Sequence, residues 1–215
     1  MIRLLLLAIG YLFGLFQTGY IVSRVTGVNL REKGSGNTGA TNALRVMGFK
    51  NALIVFLGDA LKAFIPCFAV RMIFREDPYC LVYLAWTALG VMLGNDYPFY
   101  LKFKGGKGVS VAAGWVLAWS WAVWLPAISL FFVIALTTGL VSLSSIIANL
   151  VVVVLAGVYL FVKYSPEWLT PPNIEFWIMT AVLAGLVIFR HKDNIVRLLN
   201  GTENRFRGIG KKKDA

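Results

Sequence analysis

The sequence predicts an all-α integral membrane protein: seven transmembrane helices forming one membrane-embedded domain over residues 1–215, with the N-terminus outside and the C-terminus cytoplasmic. Three observations carry this. Hydrophobic residues make up 58% of the chain and charged residues 14%, whereas an ordinary soluble domain has about 45–50% and about 25%. The apolar residues fall in long runs almost free of charge. The basic excess, a net charge of +11, collects on alternate connections between those runs. Loops of this kind report membrane orientation and contact with anionic lipid headgroups rather than nucleic acid, so membrane lipid is an expected partner and nucleic acid is not.

A hydrocarbon core of about 30 Å needs about 20 helical residues. The first span is 4–23. Only Arg3 stands ahead of its apolar run, which is long for a signal peptide and lacks a small-x-small cleavage site, so it reads as a retained helix. Spans 51–74 and 79–93 follow. Next come two short ones, 109–126 and 127–138, divided at Pro126, where Trp119, Trp121 and Trp124 suggest an interfacial turn with an aromatic belt. Read as one broken helix, 109–138 would reduce the count to six. Spans 144–161 and 175–189 complete the set.

The positive residues decide between seven and six. Arg24, Arg31, Lys33, Arg45 and Lys50 lie between the first two spans, and Lys102, Lys104 and Lys107 between the third and fourth. The tail carries Arg190, Lys192, Arg197, Arg205, Arg207, Lys211, Lys212 and Lys213. The other connections offer Arg75 and Lys163, offset by Glu76, Asp77 and Glu167. Seven spans put every basic segment on the cytoplasmic side; six would send the tail across. Arg3 is then left on the less favoured side.

The segment GSGNTGATNALR, residues 34–45, contains a complete G-x-G-x-x-G. A dinucleotide site needs that fingerprint between a strand and a helix of a βαβ unit. Here a membrane span and the connector LREK precede it, so the dinucleotide reading fails. Glycines still allow backbone N–H groups to converge into an anion-binding nest. Around Gly36, the side chains of Ser35, Asn37, Thr41 and Asn42 add short hydrogen-bonding groups, and Arg45 adds a fork that fits phosphate. A plain polar turn does not call for three glycines and five hydroxyl or amide side chains in twelve residues.

The second loop, YPFYLKFKGGKGVS, ends in GGKG. It is not a P-loop, since the earlier glycine is missing and Gly108 replaces the Ser/Thr. Gly105 and Gly106 with Lys104 and Lys107 still combine bare amides and cations at a helix start, where the dipole favours anions. Topology accounts for the lysines but not for the glycines. In the tail, His191 and Asn194 are three apart and share a face if helical. His191 is the only histidine, and Cys67 and Cys80 fit no metal or redox spacing, so neither metal nor cofactor is expected. Asp59 and Lys62, three apart inside the second span, are expected to neutralise each other and support the site structurally.

Taken together, GSGNTGATNALR, YPFYLKFKGGKGVS and RHKDNIVRLLNGTE, in this order, resemble the bacterial acyl-phosphate-dependent glycerol-3-phosphate acyltransferases over essentially the whole chain. Asp59 with Lys62, and VSLSSI at 141–146, are lesser echoes. The resemblance implies a seven-helix enzyme of the inner membrane, needing no metal or nucleotide, that joins fatty acyl phosphate and glycerol 3-phosphate into 1-acylglycerol 3-phosphate and phosphate. By motif position it puts site residues at Ser35, Arg45, Lys107, His191 and Asn194. A monomer is the expected state. The chain departs from the family's usual Gly-His at Gly94-Asn95, and has Ala63 where glycine is usual. Asn can hydrogen-bond but cannot titrate near neutral pH.

Such a reaction brings two phosphate-bearing substrates together, and the sequence offers two glycine-basic loops. The mixed anhydride is already activated, so the protein must chiefly orient the hydroxyl and stabilise the oxyanion. Three proton routes stand: the substrate's own phosphate, held by His191 and Asn194, which is preferred; His191 as general base; and a covalent step on Ser35, which lacks a neighbouring base in sequence. The competing class is a transporter or scramblase that binds phosphate groups without reacting them. A non-catalytic membrane adaptor would leave the glycines unexplained.

Overall fold

The structure, a computed structural model, describes residues 1–205. Arg207 and Lys211, Lys212 and Lys213, counted above in the basic tail, lie outside those residues. The described chain is helical throughout: α1 (Ile2–Gly14), α2 (Thr18–Thr26), α3 (Ala40–Met47), α4 (Phe49–Ile73), α5 (Cys80–Asp96), α6 (Val109–Trp119), α7 (Trp121–Thr138), α8 (Val141–Tyr164), α9 (Pro171–Arg190) and α10 (Lys192–Leu199), with a 3-10 turn at Phe99–Leu101. Five segments are long and apolar enough to cross a membrane: Ile2–Thr26, Phe49–Ile73, Trp121–Thr138, Val141–Tyr164 and Pro171–Arg190. At 17 and 11 residues, α5 and α6 fall short of that length.

Two expected boundaries move. The first span is not one helix, because it breaks between α1 and α2, where Gln17 takes an extended backbone. The buried Gln17 amide donates to the carbonyls of Gly14, Gly94 and Asn95, so a contact with α5 interrupts the helix. The division of 109–138 falls at Ser120 and not at Pro126. Ser120 is extended and accepts from the Val123 N–H, which caps α7, and Pro126 is accommodated inside α7. Trp119 faces the protein interior: it is 1% exposed and packs edge-on against Tyr159 and Phe176.

Small residues let the helices approach. Gly10 and Gly14 on α1 face Gly90 and Gly94 on α5 across a seam in which any added Cβ would meet opposing backbone at about 2.2 Å. Without a hydrophobic force between helices in lipid, such backbone contact supplies the attraction. At one end of this pair, Arg3 binds both oxygens of Glu175 at 2.7 and 2.6 Å, and the Trp86 indole donates to Glu175 at 3.0 Å. The charge left over at Arg3 is thus neutralised by the start of α9.

At the other end lies the pair within α4. Lys62 Nζ donates to Asp59, to Asn95 Oδ1 and to the Phe16 carbonyl, each at 2.8 Å, and Asp59 also accepts from Thr18 Oγ1 at 2.9 Å. An ammonium has three donors, and all three are met. Removing one member of such a pair leaves a buried charge alone, which costs about 3–5 kcal/mol. Lys62→Met should therefore lower the thermal midpoint in detergent sharply, and Asp59→Asn combined with Lys62→Met should recover much of the loss; a single variant as stable as wild type would contradict the pairing.

Candidate active site

The first glycine loop is a closed turn leading into α3. Gly34 and Gly36 take left-handed backbone, with φ of 64° and 70°, a conformation that favours glycine. Asn42 reaches back from α3 and organises the turn. Its amide donates to the carbonyls of Leu30, Lys33 and Asn37, and its Oδ1 accepts from the Ser35 N–H. Asn42 is therefore committed to the loop's own backbone. What the loop presents outward is Ser35, Gly36 and Asn37, which line a cavity of about 480 Å³. Thr41, on the first turn of α3, is not part of that lining.

The second loop works differently from a nest. The N–H of Gly105 donates to the Asp96 carbonyl and that of Gly106 to the Asn95 carbonyl, so these amides are turned into the fold. A Cβ on Gly105 would lie 2.0 Å from the Asn95 carbonyl oxygen, and one on Gly106 2.7 Å from its amide nitrogen. The two glycines are there for close approach to α5. Arg190, from the end of α9, donates to both of their carbonyls, lies 3.8 Å from Asp96 and covers the Tyr97 ring. Clamped this way, the loop delivers Lys107 into the cavity, while Lys104 is exposed and outside the lining.

The third segment closes the cavity. Asn194, on the first turn of α10, accepts from Lys107 Nζ through Oδ1 and donates to Glu203 at 2.7 Å. Glu203 also accepts from Ser142 at 3.0 Å and from Arg197 at 2.8 Å. His191 caps α10 and is buried. Its Nδ1 lies 2.7 Å from the Val187 carbonyl, which can only accept. Nδ1 therefore carries the proton and Nε2 keeps its lone pair. Arg45 stands exposed at the rim and donates to the carbonyl of Asn204, a cavity residue.

Ser35, Asn37, Lys107 and Asn194 thus meet around one space, with His191 and Arg45 beside it. Arg190, Lys192, Arg197 and Glu203 belong to the same site. In the sequence Arg190, Lys192 and Arg197 were read only as tail charge, and Glu203 only as part of the third motif, although Asn194 and Arg197, three apart on α10, share a face. Among the described residues no group of three or more His, Cys, Asp or Glu could hold a metal ion.

Burial, reinforced by Arg197 and Arg190, lowers the Lys107 amine to about 8 despite Glu203. Burial, with Lys107 adding to it, lowers His191 to about 4 against the upward pull of its Val187 bond, so the ring is neutral at ordinary pH. Burial pushes Glu203 upward, but the bonds from Asn194, Arg197 and Ser142 outweigh it and hold the carboxyl below the usual range. The cavity is cationic on balance, with Lys107, Arg190, Lys192 and Arg197 against Asp193 in its lining and Glu203 behind it, and suits a phosphorylated ligand.

A family model described as glycerol-3-phosphate acyltransferase matches residues 4–201. Glycerol-3-phosphate acyltransferase of Geobacter sulfurreducens is 40% identical over 205 residues, covering 95% of this chain and 98% of the relative. That of Aquifex aeolicus is 40% identical over 203 residues, covering 94% and 98%. The crystal structure of PlsY (YgiH), an integral membrane glycerol 3-phosphate acyltransferase, in its glycerol 3-phosphate form matches with a TM-score of 0.81 at 38% identity, over 95% of this chain and 96% of that one. The lysophosphatidic acid form gives 0.80 at the same identity, over 95% of both chains.

Because the Lys107 amine titrates near 8, it is charged below that pH and neutral above it. Binding of sulfate, whose charge is constant over this range, should weaken as pH rises from about 7 to about 9, and Lys107→Arg should remove that dependence since a guanidinium stays protonated. Calorimetric titration decides it; a flat profile for the wild-type protein would contradict a Lys107 contribution.

Proposed function

This chain belongs to the glycerol-3-phosphate acyltransferase family, and on that premise we propose that it transfers a fatty acyl group from acyl phosphate to the 1-hydroxyl of glycerol 3-phosphate. The products are 1-acylglycerol 3-phosphate and phosphate, the opening step of phospholipid synthesis. The observation that carries the reading is the meeting of Ser35, Lys107 and Asn194 around one cationic cavity, with Arg45 at its rim. Two phosphate groups need several cations on one side, and three distant segments supply them.

In this mechanism Lys107 and Arg45 hold phosphate oxygens and stabilise the charge that develops on the acyl carbonyl. Ser35 and Asn37 orient the glycerol hydroxyl. Its oxygen attacks the carbonyl carbon, and the tetrahedral intermediate collapses with the acyl phosphate's phosphate as leaving group. The proton passes to a substrate phosphate. A histidine with a pKa of about 4 is a weak base at neutral pH, which favours that route and leaves His191, with Asn194, a binding role. No imidazole or carboxylate is hydrogen-bonded to Ser35 Oγ among the described residues, which speaks against a covalent step there. The acyl chain runs into an apolar hollow lined by Phe56, Val109, Trp124 and Phe131, beginning two residues beyond Lys107.

The full reading has seven passes, α5 and α6 counting as short ones, with the N-terminus outside and the cavity at the cytoplasmic face of the inner membrane. Arg3 and Glu175 at one end and the basic cavity at the other support it. One membrane-embedded domain over 1–215 acts as a monomer, since a single chain supplies the cations, glycine turns and carboxylate of the cavity.

The test is product formation in detergent from palmitoyl phosphate and glycerol 3-phosphate. Catalysis needs no second compartment, so a carrier would give no product. Lys107→Ala and Arg45→Ala should each abolish turnover in folded protein, and near-normal rates in either would defeat the anion-site assignment. His191→Gln should lower the rate without abolishing it; total loss with intact glycerol 3-phosphate binding would instead make His191 the base.

A further inference from the structure

We propose that Asn95 is a positioning residue of the site, an uncharged relay that couples the buried Lys62–Asp59 pair to the seat of the glycine–lysine loop. Its side chain lies between Lys62 and Asp96. Lys62 can only donate, so the amide orientation is dictated: Oδ1 accepts from Lys62 Nζ at 2.8 Å, which leaves Nδ2 to donate to Asp96 Oδ1 at 2.8 Å. Asn95 is 3% exposed and Asp96 1%. The same dipeptide carries the loop on its backbone, its two carbonyls accepting from the N–H groups of Gly106 and Gly105. Gly106 has no side chain because the Asn95 amide occupies that space. Arg190 then grips the loop from the far side and faces Asp96.

One side chain therefore fixes where Gly105 and Gly106 can rest, and so where Lys107 emerges toward Asn194. A displacement of about 1 Å in such a group is enough to cost two orders of magnitude in rate. The position requires one acceptor, one donor and no net charge. Leu offers neither bond. Asp can accept from Lys62 but cannot donate to Asp96, and adds a like charge beside it. Neutral His can do both. Imidazolium can only donate, and it would face Lys62 as a second cation. The charged groups around the position are Lys62 and Asp59 from α4, Asp96 from α5 and Arg190 from α9, while Gln17, from the α1–α2 break, is neutral.

The kinetic arm of the test rests on the acyltransfer reading; the exchange arm does not. Hydrogen–deuterium exchange over residues 102–108 is compared at matched pH in purified wild type, Asn95→Leu, Asn95→Asp and Asn95→His. Leu and Asp should speed exchange there by about tenfold or more, since each leaves a buried partner unmatched, with α7 and α8 unchanged. Turnover should fall chiefly through a higher KM for glycerol 3-phosphate. The His variant should match wild type at about pH 8 in both arms. Should the Leu variant not fold, the isosteric Asp variant and the His rescue carry the comparison. Wild-type exchange in both Leu and Asp variants, or a His variant that exchanges at about pH 8 as fast as the Leu variant, would overturn the proposal. Wild-type protein that exchanges slowly but forms no product would count against the acyltransfer reading, with the exchange arm still deciding the role of Asn95.

Discussion

The structure depends on one ammonium group kept inside an apolar bundle. Lys62 needs three acceptors, and the carbonyls of the surrounding helices are for the most part already bonded within those helices. Two come from side chains, Asp59 and Asn95. The third is the carbonyl of Phe16, which lies in the break between α1 and α2. The break is therefore part of the solvation of a charge. Gln17 stabilises it from the other side by bonding Gly14, Gly94 and Asn95. Burying a salt bridge adds little to net stability, but it admits few alternative arrangements. Here it sets α1, α4 and α5 relative to one another, near the end where the cavity opens.

From that fixed corner the cavity follows by short steps. The end of α5 provides two backbone carbonyls for the glycine loop, Arg190 pins the loop from α9, and Lys107 is what the loop delivers. Its positive charge is shared with Arg197, Arg190 and Arg45, and such a cluster is unfavourable unless something offsets it. Glu203 does so through Asn194 and Arg197. Burial, with Arg197 and Arg190 adding to it, lowers the proton affinity of Lys107 but leaves it available as a cation.

The membrane class, the apolar spans and the segments that carry the site were legible in the sequence, because apolar length and charge distribution are properties of the chain read in one dimension. The pairing of Asp59 with Lys62 was legible for the same reason, being a contact within one helix. The boundaries that moved were those decided between helices. Pro126 is a strong local signal, yet the turn sits at Ser120, whose hydroxyl caps α7 and whose neighbour Trp119 is drawn into the core. Nothing local marks Gln17 as a break, and Gly10, Gly14, Gly90 and Gly94 read as ordinary apolar positions until α1 is laid against α5.

The sequence by itself determined that three polar segments rich in glycine and cations punctuate a chain of membrane composition, and that their pattern suits a phosphate-bearing ligand. Only the tertiary structure decided which of those polar groups face the ligand and which hold the protein together. Asn42 binds its own loop, the amides of Gly105 and Gly106 bind α5, and Arg190, read as a topological charge, clamps the site. The physical reason is that a donor or acceptor has limited capacity, and its partner can lie 87 residues away, as for Lys107 and Asn194, as well as three. Composition reveals that the groups exist; only the packing shows where their hydrogen bonds go.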